Sequence, residues 1–484
     1  MLKHLRPILA TAAAAVLTGG LLTAAASPSV AVDGVEGDFN NDGYGDVVAA
    51  AGYAHVNGKA GAGQIVVYWG GPDGLDPARR SPISQASPGV PGSPEEGDLF
   101  GNSLRTGDFN GDGISDLLVS AYLEDLGGDE EAGMLSVLWG SSEGLVSGAV
   151  IGDPDGSGHD RFGQSLAVGD FDADGTTDIA VGTDHPTVHI LAGGLDTWGE
   201  PAFDYTVRPN LAPGFNGAFY LTAGQVEGEG TGDDLVVNGL ENEPDENGYI
   251  YNANFYFPGI AGKGLAGDGE PLQGGIVTDI GDTDGDGFGD LVIGTEWDQG
   301  VPGSTKGGKV TVLYGTADGP NGRVVTVTQN TSGVVGASEN DDRFGDTLHL
   351  GDVNGDGFED LVIGSSEENL GDAYDTGAVH LLYGSPAGIT TTGAQYFNQN
   401  TPGVPGSNEK QDYFGSDVLL RDVDADGDDD LAIGAMGENW FNGSVTALRS
   451  DGTRIVTDGA LWMSARSSGV PTAGQPGLGG RFKG

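Results

Sequence analysis

Short apolar runs recur along the chain, and none keeps a helical spacing. One set begins at an acidic residue: DVVAA (46–50), DLLVS (116–120), DIAVG (178–182), DLVIG (290–294 and 360–364) and DLAIG (430–434). A second set ends in glycine: QIVVYWG (64–70), LSVLWG (135–140), TVHILAG (187–193), KVTVLYG (309–315) and VHLLYG (379–384). Runs this short, rich in β-branched residues and bounded by Gly and Asp, predict strands. Between them lie turn sequences such as GPDGL, SSEGL, TADGP and SPAGI. Segments such as SPGVPGS, TSGVVGAS and TPGVPGS then lead to a Phe-Gly pair at Phe100, Phe162, Phe344 or Phe414.

The order repeats. Phe-Gly is followed by a short strand, an acidic loop, a buried run, a variable Gly-rich loop, an alternating strand, a turn and a last strand. The acidic loops begin at positions 38, 108, 170, 225, 282, 352 and 422, which gives seven copies spaced 55–70 residues apart. A period of this size indicates a repeat architecture. Seven all-β units of four strands predict a seven-bladed β-propeller of four-stranded antiparallel blades, in which only short, protected edges remain. Separate tandem domains are disfavoured, because about 60 residues would bury too little apolar surface alone. The first unit lacks its own Phe-Gly. The C-terminal SSGVPTAGQPGLGGRFKG resembles the approach to that pair, with Phe482 in the Phe position, so the C-terminus is expected to complete the first blade.

Composition narrows the partners. With 72 Asp+Glu against 20 Lys+Arg, the formal net charge is -52. Nucleic acid and anionic membranes are poor partners for such a surface. Cysteine is absent, which removes disulfides, thiolate metal sites and a cysteine nucleophile. Residues 1–31 have the pattern of a secretory signal peptide. Lys3 and Arg6 precede the apolar stretch PILATAAAAVLTGGLLTAAA, with small-residue cleavage sites after Ala26 or Ala31. No later segment is apolar enough to span a bilayer. A secreted, extracellular protein follows as the expectation, with residues 32–484 as a single propeller domain and a monomer as its state.

The acidic loops carry the chemistry. Oxygen donors stand at positions 1, 3, 5 and 9 of each, with Gly at position 6 to allow a sharp bend. The sets are Asp38, Asn40, Asp42 and Asp46; Asp108, Asn110, Asp112 and Asp116; and Asp170, Asp172, Asp174 and Asp178. The later sets are Asp282, Asp284, Asp286 and Asp290; Asp352, Asn354, Asp356 and Asp360; and Asp422, Asp424, Asp426 and Asp430. The fourth loop offers Gln225, Glu227, Glu229 and Asp233, and its lost first Asp and longer side chains are expected to disable it. An all-oxygen, carboxylate-rich cage suits Ca2+ better than Mg2+, which demands a stricter octahedron. Six calcium sites are expected. The start of each loop is similar to an EF-hand, but the acid at position 9 and the strand that follows exclude that motif.

The text FGNSLRTGDFNGDGISDLLVS, with RFGDTLHLGDVNGDGFEDLVIGSS and YFGSDVLLRDVDADGDDDLAIGAM, resembles the FG-GAP family, the blades of the integrin α-subunit propeller. The resemblance runs over about residues 35–484. It implies a seven-bladed propeller with calcium in the loops between the first two strands of a blade, and ligand recognition on the opposite face. Leg domains and a transmembrane helix are lacking, so the chain looks like a secreted bacterial FG-GAP protein.

Catalytic signals are weak. Gly140-Ser141-Ser142-Glu143-Gly144 matches a nucleophile-elbow pattern but sits where the other units have hairpin turns. His185 and His189, on or beside a strand, would be separated by about 13 Å, which disfavours chelation by the pair. Recognition is expected from the variable loops between second and third strands. Trp297, Tyr374 and Trp440 lie in or near them, with strand-end packing as the favoured reading for any one of them. The aromatic cluster Tyr249, Tyr251, Phe255, Tyr256 and Phe257 is read as mostly core. The leading expectation is a calcium-stabilised binding or cell-adhesion module for a surface glycan or extracellular protein. The alternative is a secreted hydrolase or lyase with its active site in a central pocket.

Overall fold

The computed structural model describes residues 35–483 apart from 157, 215, 216, 229, 245–247 and 298–302. The signal peptide expected over 1–31 lies outside these residues. The described residues form seven antiparallel sheets, each one blade of a propeller. Blade 2 is typical: Leu104–Gly107 lines the axis, then Asp116–Ala121, Met134–Trp139 and Ser147–Ile151 follow outward. Blade 4 departs from the pattern, because Asn252–Ile260 pairs with both Gly264–Leu265 and Glu270–Leu272 at the rim.

The burial pattern explains why the sequence shows continuous apolar runs and not alternation. A second strand has a neighbouring blade on each face, so all six residues of Asp116–Ala121, Asp290–Thr295 and Asp360–Ser365 are buried. Outer strands such as Val324–Val327 face solvent on one side and do alternate. The core is therefore not one volume. It is a set of clusters between blades, such as the one joining Phe39, Val48 and Ile65 of blade 1 to Phe100, Leu117 and Leu138 of blade 2. Phe100, Phe162, Phe344 and Phe414 each plug such an interface at no more than 1% exposure.

Each of these phenylalanines is seated by main-chain contact with the blade before it. Phe100 N–H donates to Ala62 O at 3.1 Å, and Phe414 N–H to Thr376 O at 2.9 Å. A glycine faces each one. A Cβ at Gly63 would stand 2.3 Å from Phe100 main-chain atoms, and one at Gly377 2.1 Å from Phe414 O.

The ring closes as a composite blade. Phe482–Lys483 adds to the inner edge of Val47–Ala51, with Val48 opposite Lys483 and Ala49 opposite Phe482. The expected register is corrected in one respect. Leu478-Gly479, and not Phe482, stands in for Phe-Gly. Leu478 N–H donates to Asn442 O at 3.1 Å, and the bridge from Gly443 to Leu478 repeats that from Gly377 to Phe414. Phe482 lies four residues on, in the strand itself, where blade 2 has Leu104. A leucine filling the phenylalanine's place hid the match.

Gly377→Ala is expected to cost about 3 kcal/mol or more, since backbone must move to admit a methyl group. Gly371→Ala, at a similar positive φ but with open space around it, is expected to cost about 1 kcal/mol. Equilibrium urea unfolding of the two variants checks this.

Candidate metal centres and the two faces of the ring

The six acidic loops share one hydrogen-bond plan. The position 1 carboxylate caps the loop's own backbone. Asp108 Oδ1 accepts from Asp112 N–H at 3.1 Å, and Oδ2 from Gly113 N–H at 2.8 Å. Asp38, Asp170, Asp282, Asp352 and Asp422 accept from the same two positions. The position 5 carboxylate accepts from position 7, as Asp112 does from Ile114 at 3.0 Å. The position 9 carboxylate reaches across its blade. Asp116 accepts from Phe109 N–H at 3.1 Å and from Gly140 N–H, at the end of the third strand, at 2.7 Å. The bend uses two left-handed residues. Gly at position 6 has φ of 82–93°, as the sequence requires, and position 4 is also left-handed, even where it is Asn41, Ala173 or Ala425.

With the backbone satisfied, oxygens remain turned inward. Asp170, Asp172 and Asp178 present one oxygen each within 4.8 Å of one another, as do Asp282, Asp284 and Asp290, and Asp422, Asp424 and Asp426. These are the three loops with Asp, not Asn, at position 3. In each, the position 3 Oδ1 (of Asp172, Asp284 or Asp424) is buried without a hydrogen-bond partner. A buried, unpartnered carboxylate oxygen facing two more carboxylates is costly unless a cation meets it. The donors are oxygens only, which fits a hard divalent ion.

Burial dominates the electrostatics of position 9. It pushes Asp46, Asp178 and Asp290 up to about 7, and Asp116, Asp360 and Asp430 up to about 8; neighbouring acids add to the rise, and the donated N–H groups oppose it. The fourth loop keeps part of this plan. Its strand-start acid is Asp234, not Asp233. Asp234 accepts from Val226 and Gly259 N–H at 2.9 and 2.8 Å, while Asp233 turns away to accept from Asp170 N–H at 2.9 Å in the neighbouring loop. Gln225 bonds to Thr231, and Glu227 meets the Tyr256 hydroxyl at 3.4 Å. Glu229 lies outside the described residues.

Successive loops are also joined to one another, which the sequence did not reveal. The position 8 N–H donates to the position 1 carbonyl of the preceding blade: Glu359 to Asp282 at 3.1 Å, Asp429 to Asp352 at 2.8 Å, and Gly45 to Asp422 at 3.2 Å. The turn between third and fourth strands adds a second link, as Ser141 N–H to Phe39 O at 3.1 Å and Ser385 N–H to Thr283 O at 3.1 Å. Ser141 belongs to such a turn, with its hydroxyl donating to Gly144 O at 2.8 Å. Ser385 makes the same bond to Gly388 O, at 2.7 Å, in the corresponding turn of blade 6.

The axis is polar, and its groups are used to tie strands. Asp279 Oδ2 accepts from Leu350 N–H at 2.8 Å, Asp417 Oδ2 from Phe482 N–H at 2.7 Å, and Arg105 donates to Leu221 O at 3.0 Å. At the far mouth of the channel lie Tyr220, Arg343, Tyr413, Phe441 and Arg481. A depression beside it holds Tyr122, Arg161 and Trp297. Sequence reasoning named Trp297 but missed Arg161, Arg343 and Tyr413. All three directly precede Phe-Gly, where the backbone is left-handed. Trp440 is 87% exposed and Tyr374 47%. Tyr249, expected in the core, is 64% exposed, whereas Phe255, Tyr256 and Phe257 are buried as expected.

A family model for the FG-GAP repeat matches residues 100–138, 162–191, 344–382 and 414–448. The chain carries FG-GAP repeats. They coincide with blades 2, 3, 6 and 7, each from its Phe-Gly to its third strand. The phosphatidylinositol-glycan-specific phospholipase D of Bos taurus is 28% identical over 364 residues, 67% of this chain and 42% of that protein. The Rattus norvegicus protein of the same name is 30% identical over 198 residues, 39% and 22% of the two chains. Integrin alpha-PS5 of Drosophila melanogaster is 33% identical over 148 residues, 30% and 14% of the two. The chain thus spans less than half the length of each of these relatives.

The raised position 9 acids give the metal-free protein a distinctive pH dependence. Their folded pKa values lie above the unfolded value of about 3.9, so protonation favours the folded state. That contribution is complete below about pH 4 and is lost as pH rises through about 7–8. Metal-free protein is expected to melt at a higher temperature at pH 5.5 than at pH 8.5. Saturating calcium is expected to abolish or reverse that slope. Differential scanning calorimetry at the two pH values checks both.

Proposed function

We propose that this chain is a secreted, calcium-stabilised propeller that binds an extracellular protein or glycan on the face opposite its acidic loops. Calcium is structural in this reading. It is held by the position 1, 3, 5 and 9 side chains of six loops, where it neutralises carboxylates whose backbone bonds already join blade to blade.

The observation that carries the binding reading is the turn at 439–441. Asn439, Trp440 and Phe441 are three consecutive left-handed residues, with φ of 54, 65 and 61°. Each costs about 1–2 kcal/mol relative to a right-handed conformation. The turn is held by main-chain bonds from Phe441 N–H to Gly437 O at 2.8 Å and from Gly477 N–H to Phe441 O at 3.0 Å. Its outcome is an indole held out in solvent, while Phe441 sits 5.9 Å from Tyr413 at the channel mouth. Backbone strain retained to expose a large aromatic supports recognition at that spot.

A hydrolase or lyase reading is favoured by one observation, the convergence of Arg105, Asp279, His349 and Arg421 in the channel. The strand-tying bonds of Arg105 and Asp279 weigh against it. The relatives named as phospholipases lend this chain no activity by themselves, because it covers less than half of them.

Calcium-loaded protein is expected to retain about six calcium ions per chain after desalting, counted by native mass spectrometry. A screen against glycan and extracellular-protein arrays is expected to return a ligand whose affinity falls at least tenfold in Trp440→Gly. The same variant is expected to be more stable by about 1 kcal/mol, because glycine relieves the left-handed strain. A ligand that binds Trp440→Gly unchanged, or turnover of an arrayed compound that far-face variants leave intact, would contradict the reading.

A further inference from the structure

Histidine is scarce in this chain, with 7 residues in all, yet three come together in blade 3. His189 lies on the third strand, His185 in the short loop before it, and His159 on the approach to Phe162. The His159 and His189 rings are 4.8 Å apart between centroids, and those of His159 and His185 6.5 Å. The spacing that disfavoured chelation by His185 and His189 is bridged by a residue from outside the strand.

Two carboxylates attend the rings. Asp153 Oδ1 stands 3.3 Å from His159 Nε2. Asp184 Oδ1 is 2.8 Å from His185 Nδ1, which orients that ring and leaves Nε2 as its outward nitrogen. His159 and His189 are 7% and 3% exposed; Asp153 is the one polar neighbour of His159 Nε2, while His159 Nδ1 and both ring nitrogens of His189 complete no hydrogen bond. A buried imidazole always carries at least one donor, so two such rings side by side call for a missing partner.

Comparison within the ring separates this cluster from ordinary packing. His380 has the same place on the third strand of blade 6, but it is enclosed by the Phe344 and Tyr396 rings at 5.1 and 5.0 Å. At three other interfaces a buried glutamine, two residues past the end of an outer strand, donates to a glutamate in the next blade: Gln85 to Glu124 at 2.7 Å, Gln329 to Glu368, and Gln399 to Glu438 at 2.5 Å. At the interface of blades 2 and 3 that position is Asp153, and the loop facing it carries Asp184 and His185. Where those three interfaces have an amide–carboxylate tie, the interface of blades 2 and 3 has imidazoles and a carboxylate.

We propose that His159, His189, Asp153 and His185 form a binding site for a divalent transition-metal ion of the zinc class, separate from the oxygen-only calcium loops. Neutral imidazole nitrogens and a carboxylate are ligands such an ion accepts in tetrahedral array. His159 and His189 are fixed by packing against Phe162, each with its ring 6.2 Å from that of the phenylalanine. Among the described residues, the donor triads that already converge within 4.8 Å all lie in the acidic loops, so this site closes on binding by rotation of its side chains, with half-exposed His185 turning in from Asp184. The ion would join the blade 2–3 connection to the blade 3 sheet where three other interfaces rely on a hydrogen bond.

The test uses the full chain in excess calcium, so that the acidic loops are filled. Titration with Zn2+ by isothermal calorimetry is expected to show one saturable equivalent. Co2+ in its place is expected to give the visible absorption of a tetrahedral ion. His185→Ala, at an exposed position, is expected to weaken binding at least tenfold, and the double variant His159→Gln/His189→Gln to abolish it. His380→Gln is expected to leave it unchanged. Absence of a saturable equivalent in the parent protein overturns the proposal. So does an equivalent that survives His185→Ala at full affinity, which decides the matter even if the double variant fails to fold.

Discussion

Everything in this ring depends on acidic side chains placed where backbone must turn sharply between two buried strands. The loop leaving each inner strand has main-chain N–H groups that nothing in the sheet can satisfy. A carboxylate at position 1 takes two of them, and one at position 9 takes an N–H from across the blade and, in every one of the six loops but that of Asp430, another from its own loop. Those oxygens must then sit within a few ångströms of each other, in a partly dry setting where like charges repel. A chain of net charge -52 tolerates six such knots only if something offsets the repulsion. Protonation would do so for the metal-free protein, and in the reading proposed above a divalent cation would do so without the cost in pH range.

The same loops carry the contacts between blades. Position 1 presents its carbonyl to position 8 of the next blade, and position 2 presents its carbonyl to the next blade's outer turn. A loop that loses its shape therefore loosens its own blade and its neighbour's hold on it. On the other face the seal is different in kind: phenylalanine rings, or Leu478 at the closure, press against glycines too close to admit a Cβ. The fold is thus fastened electrostatically on one face and sterically on the other. The steric face also holds the exposed aromatics and arginines of the channel mouth.

Much of this was legible in the sequence because repetition converts weak local signals into strong ones. One DFNGDG loop is only an acidic turn; six in one register, each with a buried run after and four of them with Phe-Gly eight residues before, specify a blade. The fully buried second strands were legible as unbroken apolar runs. What was not legible depends on contacts between units. Leu478 as a surrogate for phenylalanine needed the main-chain bond to Asn442. Asp234 as the fourth loop's strand-start acid needed the extra residue to be placed in space. The chain of position 8 to position 1 bonds joins groups 77 residues apart, or 377 across the closure, and the histidines of blade 3 meet only because the fold brings His159 back over the sheet that carries His189.

The most direct test of this account is the melting temperature of the intact protein at pH 7.5 with calcium and after addition of excess chelator. If the acidic loops are the fastener, removal of the cation lowers the transition by tens of degrees, and re-addition of calcium restores it. An unchanged transition in excess chelator would mean that the loops hold the ring without a cation, and the account would be wrong at its centre.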